Sequence, residues 1–234
     1  MEKRVSNKMF LSIVQGSFRQ SVPKGTEGSV QRDWEVGSKS GVKHEKVFEA
    51  IVGRIVGVKF YEGESEGRKF TNLNVVLDKN EHSDKFPVIS VPINGRYAGD
   101  IMKKLPRIDF KEEVRIRPFS FQPEGEDKNI TGVELTQQDG TGKFVKKIKN
   151  FFFDEEKKES INEFPVPEGD TKKYDSDDWS IFYKQATKFL MNYTKANICT
   201  KFADEDTKQS DEEEKDKVDY PEEESIRAED IPFN

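Results

Sequence analysis

Glu45–Tyr61, EKVFEAIVGRIVGVKFY, reads as one long strand interrupted by Gly53 and Gly57. Glycine inside a long strand marks a bulge or bend, which lets a single strand serve both sheets of a small barrel. The segments around it support that reading. Phe70–Leu77 alternates, with Thr71, Leu73, Val75 and Leu77 on one face, and Pro87–Ile93 alternates through Ile89, Val91 and Ile93. Phe10–Val22, Val114–Gln122 and Asn129–Thr136 complete the strands, and Lys143–Ile148 extends them. Between the late strands lies NGRYAGDIMKKLP, Asn94–Pro106. Asn94 can cap a helix there, Tyr97, Ile101 and Leu105 recur every fourth residue, and Pro106 stops it. Mostly antiparallel strands with one helix between two late ones outline an OB barrel. The expected fold is therefore mainly β: an OB-fold-like five-stranded barrel with extra strands and loops, one or two helices and a disordered acidic C-terminal tail. A small SH3-like barrel or a plain sandwich competes with it.

The chain has 234 residues, 36% of them charged and only 33% hydrophobic, which is too polar for one uniformly packed globule. Its net charge of −6 is unevenly placed. Residues 1–153 carry 27 Lys and Arg against 21 Asp and Glu, a balance of +6. Residues 154–203 carry 8 against 10, and residues 204–234 carry 4 against 14, a balance of −10. The expected division is thus an OB-fold-like domain over 1–153, a charged connector and amphipathic helix over 154–203, and an acidic tail over 204–234. The tail has too little apolar surface to offset its ordering entropy. Its last residues, Glu229-Asp230-Ile231-Pro232-Phe233-Asn234, put bulky apolar side chains on an exposed acidic tether, the form of a docking peptide.

A second helix is expected at about 177–195. Trp179, Phe182, Tyr183, Ala186, Phe189, Leu190 and Tyr193 form a wide apolar stripe, opened by Asp175, Ser176 and Asp177 as caps. The stripe either packs on the barrel's flank or mediates association. The single cysteine, Cys199, excludes an internal disulfide framework and a Cys-rich zinc module. The run Met9–Val14 is too short for a signal peptide core or a membrane span, so a soluble cytoplasmic protein without a membrane partner is expected.

Catalytic chemistry is not legible. His44 and His82 lack neighbours at metal-ligand spacing, and Gly140-Thr-Gly-Lys143 lacks the spacing of a phosphate loop. Pro167-Glu168-Gly-Asp170-Thr-Lys172 sits in a connector that would not hold metal-binding carboxylates still. No catalytic residue, metal or cofactor is assigned. Binding is better supported. In VRIRPFSF, Val114–Phe121, alternation turns Val114 and Ile116 inward and leaves Arg115, Arg117, Phe119 and Phe121 on the opposite face. Cations there can track phosphates while rings stack on unpaired bases, at about 1–3 kcal/mol per base. Phe70 repeats the pattern beside Asn72 and Asn74, after Arg68 and Lys69. Lys59, Phe60 and Tyr61 open the adjoining loop, and Phe18-Arg19 and Arg32-Asp33-Trp34 lie near the first loop. The DNA-binding candidates are Phe18, Arg19, Trp34, Lys59, Tyr61, Arg68, Lys69, Phe70, Arg115, Arg117, Phe119 and Phe121. No basic recognition helix is present, which disfavours duplex DNA as the target.

A basic OB-like body, a flexible acidic linker and a terminal Asp230-Ile231-Pro232-Phe233 resemble the single-stranded DNA-binding proteins of bacteria and bacteriophages, and the divergent loops and added helix look more like a phage form. The resemblance implies a non-catalytic protein that coats unpaired strands during replication, recombination or repair in a bacterial or phage-infected cell. It implies that Asp230, Ile231, Pro232 and Phe233 recruit replication or recombination proteins. In the bacterial tip the phenylalanine is the last residue; here Asn234 follows it and moves the free carboxylate one residue on. Two other functions remain open: a strand-annealing recombination accessory, and an acidic interaction or inhibitor protein without nucleic-acid binding.

Overall fold

The computed structural model describes residues 7–203 apart from 37–38, 66, 80–83, 127 and 140. The acidic tail and the Asp230–Phe233 tip lie outside the described residues, as does His82. The chain opens with a hairpin, β1 (Lys8–Val14) and β2 (Ser17–Ser21), followed by a second, β3 (Val30–Val36) and β4 (Lys39–Phe48). Then come β5 (Ile51–Ser65), β6 (Arg68–Leu77), β7 (Phe86–Pro92), α1 (Arg96–Lys104), β8 (Glu113–Phe121), β9 (Ile130–Gln138) and β10 (Phe144–Lys147). A short antiparallel pair, β11 (Phe153–Asp154) and β12 (Glu159–Ser160), precedes the long helix α2 (Ser176–Asn197).

Ten strands form one ladder in the order β10-β9-β8-β5-β6-β7-β1-β2-β4-β3. Every pairing in it is antiparallel except β1 on β7. The section β5 to β9, with α1 between β7 and β8, has the OB-like layout the sequence suggests. The ladder is larger than five strands and its two ends do not pair, so the barrel is not closed by hydrogen bonding. Across the gap the β1–β2 turn lies against β8. A Cβ on Gly16 would stand 2.4 Å from the Ser120 nitrogen, and the Gly16 amide donates to the Tyr97 hydroxyl at 3.0 Å. Only glycine tolerates both that approach and a φ of +78°.

Three sequence expectations are corrected. Phe10–Val22 is two strands, because Gln15 and Gly16 both take positive φ and reverse the chain. Glu45–Tyr61 breaks at Glu49–Ala50, so its halves belong to β4 and β5, in different parts of the ladder. The bend expected at the glycines is present inside β5, where the register with β6 shifts between Ile55 and Gly57. Helix α1 begins one residue later than Asn94 allows: Gly95 is the N-cap and no side chain caps the helix.

The inward faces of β6 and β7, with Leu73, Leu77, Ile89 and Val91, meet Met102 and Leu105 below α1 in one apolar core. Helix α2 packs on the flank of this core. Asp175 and Asp178 form a capping box at its start, and Ala186, Leu190 and Thr194 are buried along its inner side. Phe152 joins it to the barrel: its ring lies 5.5 Å from Phe189 and 5.0 Å from Tyr193. No helix among the described residues is long and apolar enough to cross a membrane.

Candidate nucleic-acid interface

Strand β8 positions the first patch. Val114, Ile116 and Pro118 are buried, while Arg115, Arg117 and Phe121 are exposed and Phe119 is half-buried. The alternation survives Pro118 because that residue points inward. The Phe119 and Phe121 rings lie 6.1 Å apart, and Phe121 is 54% exposed. Phe119 is held from beneath: its ring crosses Gly132 on β9, where a Cβ would come within 2.7 Å of it. Arg117 donates to Glu134 at 2.6 Å, and Lys147 reaches the same carboxylate at 3.0 Å. The Lys147 hydrogen bond and Arg117 outweigh burial and hold the Glu134 carboxyl below its usual range. Arg117 is thus engaged within the protein, whereas the sequence suggests a cation given over to phosphate.

The second patch lies at the far end of β5. Val58 is buried and Phe60 packs on the core, so Lys59 and Tyr61 face the other way. The register sets Lys59 opposite Asn74, Tyr61 opposite Asn72 and Gly63 opposite Phe70. Phe70 lies across Gly63, its ring 2.5 Å from where a Cβ would be, and 6.1 Å from the ring of Tyr61. Arg68 and Lys69 are exposed beside it. Asn72 and Asn74 are buried in the floor of this patch, and Asn72 Nδ2 donates to Ser90 Oγ at 3.2 Å. Arg115 pairs with Val52 on β5, seven residues before Lys59. The two patches therefore lie toward opposite ends of β5.

The third group sits on the β2–β4–β3 arm. Glu45, 2% exposed, accepts from Arg19 Nη1 at 3.0 Å and from Arg32 Nε and Nη2, each at 3.0 Å. Burial alone would raise the Glu45 pKa, but Arg32 and Arg19 together hold it below the ordinary value. Trp34 is half-buried with the Lys43 ammonium 4.9 Å above its ring, and the indole fills the space over Gly41. Phe18 must be removed from the interface: it is 0% exposed and its register partners are Ile13 and Phe48, on the core side. Its neighbour Arg19 takes the opposite face by strand parity.

The sequence reading missed Glu45, which organises two arginines, and it missed Lys8, Lys111 and Lys201. Those lysines join Lys59 around a cavity of about 470 Å³. They come from four distant segments, and only the topology brings them together. The chain matches no protein-family model, no curated protein and no solved structure.

Proposed function

We propose that the protein binds and protects single-stranded DNA during replication, recombination and repair, largely independently of sequence and without catalysing a reaction. One observation carries this reading. Strand β8 fills the core with Val114, Ile116 and Pro118 while holding Phe119 and Phe121 toward solvent beside Arg115. Rings propped open on an OB-like strand provide a stacking surface that any base can use, and adjacent cations track the backbone. The patch at Tyr61 and Phe70 continues the same chemistry. A module of this kind covers roughly 4–16 nucleotides, enough to reach both patches. In this reading the acidic tail competes with the strand for the cationic body, and strand binding releases the Asp230–Phe233 tip to recruit replication or recombination proteins in a bacterial or phage-infected cell.

The test titrates labelled oligo-dT against the full-length chain and a chain ending near Ala203, at low and moderate salt, with duplex as competitor. Duplex-resistant binding that tightens without the tail, most at low salt, is expected because surface attraction is screened by salt. Equal affinity for single strands and duplex refutes the stacking argument, and no binding to either favours the interaction-protein alternative. Unchanged affinity on truncation at low salt refutes tail competition alone.

A further inference from the structure

We infer that the cavity at the β5 bulge is a nucleotide site, which takes one phosphorylated nucleotide with its phosphate among converging lysines and its base against phenyl rings. Only the source of that nucleotide, a bound strand, rests on the single-strand reading; the chemistry of the site does not. The cavity lies where β5 slips register between Ile55 and Gly57, and residues 55–59 line it. The space measures about 470 Å³, within the roughly 300–1,000 Å³ of small-molecule sites.

Its charge is one-sided. Lys8 comes from β1, Lys59 from β5, Lys111 from the turn before β8 and Lys201 from the 3-10 turn after α2. Among the described residues, Arg54 brings the lining to five cations against one carboxylate, Asp78, and Arg54 already binds Asp78 at 2.7 Å. Like charges drawn together from four segments repel one another, and a cleft with low-dielectric walls concentrates that field on an incoming anion. The apolar part of the wall combines aliphatic residues of β5 and β6 with three rings, Phe86, Phe110 and Phe202. Phe110 and Phe202 meet edge to face at 5.2 Å, and the Lys201 ammonium stands 5.1 Å from the Phe110 ring. A bare phosphate would use the lysines and leave the rings idle, whereas a nucleotide uses both. Lys59 belongs to the cavity and also to the Tyr61 patch two residues on, so a strand lying on that patch has its next nucleotide at the cavity mouth.

The experiment compares the full-length protein with its Lys111→Gln/Lys201→Gln variant, changing cations that lie on neither stacking patch. Thymidine 3′,5′-bisphosphate, inorganic phosphate and oligo-dT are titrated separately, and the variant's urea midpoint is checked against the parent. The parent should prefer the bisphosphate to inorganic phosphate, and the variant should bind the bisphosphate at least tenfold more weakly. The slope of log K for oligo-dT against log salt should flatten by about 0.7 for each phosphate that the variant no longer neutralises. Equal bisphosphate binding by parent and variant, no bisphosphate binding by the parent, or no preference over phosphate overturns the inference. Bisphosphate binding without oligo-dT binding supports the cavity with a free nucleotide as occupant and defeats the single-strand reading. Oligo-dT binding that the variant leaves unchanged in affinity and slope defeats the strand as occupant and leaves that reading standing.

Discussion

Phe152→Ala tests whether α2 and the barrel fold as one unit. The Phe152 side chain is 1% exposed, and its ring contacts Phe151 at 5.1 Å, Tyr193 at 5.0 Å, Phe189 at 5.5 Å and Phe164 at 5.6 Å. It stands in the segment leaving β10 and is the principal ring between the barrel and α2. Truncating a buried phenylalanine costs about 3–5 kcal/mol, and the four edge or tilted ring contacts favour the upper half of that range. With a urea slope of about 2 kcal/mol/M, a loss of about 4 kcal/mol lowers the unfolding midpoint by about 2 M. For a domain of this size the melting temperature should fall by about 8–16 °C. The assay is urea titration in a Trp34→Phe background, so that fluorescence reports Trp179 on α2 while circular dichroism reports the strands. Both signals should shift together. A Trp179 transition that moves alone, or a midpoint change below about 0.5 M, would show that the helix is an appendage and refute the argument.

Glu45→Gln should destabilise the arm by about 3–5 kcal/mol, the cost of leaving one side of a buried ion pair without its partner. Because the folded pKa of Glu45 is lowered, its contribution is present above the unfolded value and lost as pH falls through the folded one; Trp34 fluorescence in a Trp179→Phe background should report acid loosening that the Gln variant lacks. Phe121→Ala should weaken oligo-dT binding by about 5- to 150-fold, equivalent to about 1–3 kcal/mol, in a fluorescence anisotropy titration. Its unfolding midpoint should change by no more than about 0.5 kcal/mol in stability, because the ring is 54% exposed. Gly16→Ala should cost about 2 kcal/mol or more by thermal melting, through its positive φ and the Ser120 backbone 2.4 Å from the new Cβ.

Strands β6 to β9 were legible because each turns one apolar face to the core, which writes a period of two into Leu73, Val75 and Leu77 or into Val114 and Ile116. The arm was not. Arg32, Trp34, Lys43 and Glu45 share a polar face stabilised by ion pairing and a cation–ring contact, and such a face carries no hydrophobic alternation to read. The break at Glu49–Ala50 was hidden for a different reason: no Gly, Pro or Asn marks it, and the apolar pairs Val47-Phe48 and Ile51-Val52 flank it on both sides. At the site, parity along β8 located Phe119 and Phe121. For Phe18 the parity was hidden by the unrecognised turn at Gln15–Gly16, which decides that this ring faces Ile13 and Phe48.

The placement of charge bears on which nucleic acid the body can hold. Six of its cations are engaged internally: Arg19 and Arg32 on Glu45, Arg54 on Asp78, Lys104 on Asp100, and Arg117 with Lys147 on Glu134. Duplex binding depends on dense phosphate neutralisation and the counterions it releases. A body that commits so many cations to its own carboxylates is poorly equipped for that. Stacking makes a different demand, since each exposed ring contributes about 1–3 kcal/mol per unpaired base whatever the surrounding charge. Phe119, Phe121, Tyr61 and Phe70 can supply that where modest charge cannot. The largest cation cluster among the described cavities lies beside Phe202, and the described chain ends one residue later, at Ala203. The sequence of charge −10 begins at the next position. Under the proposed tail competition, a segment joined to the chain at that point would act as an intramolecular ligand, at an effective concentration that free peptide would not reach. The proposed competition therefore falls first on the cavity end of the interface, leaving the Phe119–Phe121 end to begin capture of a strand.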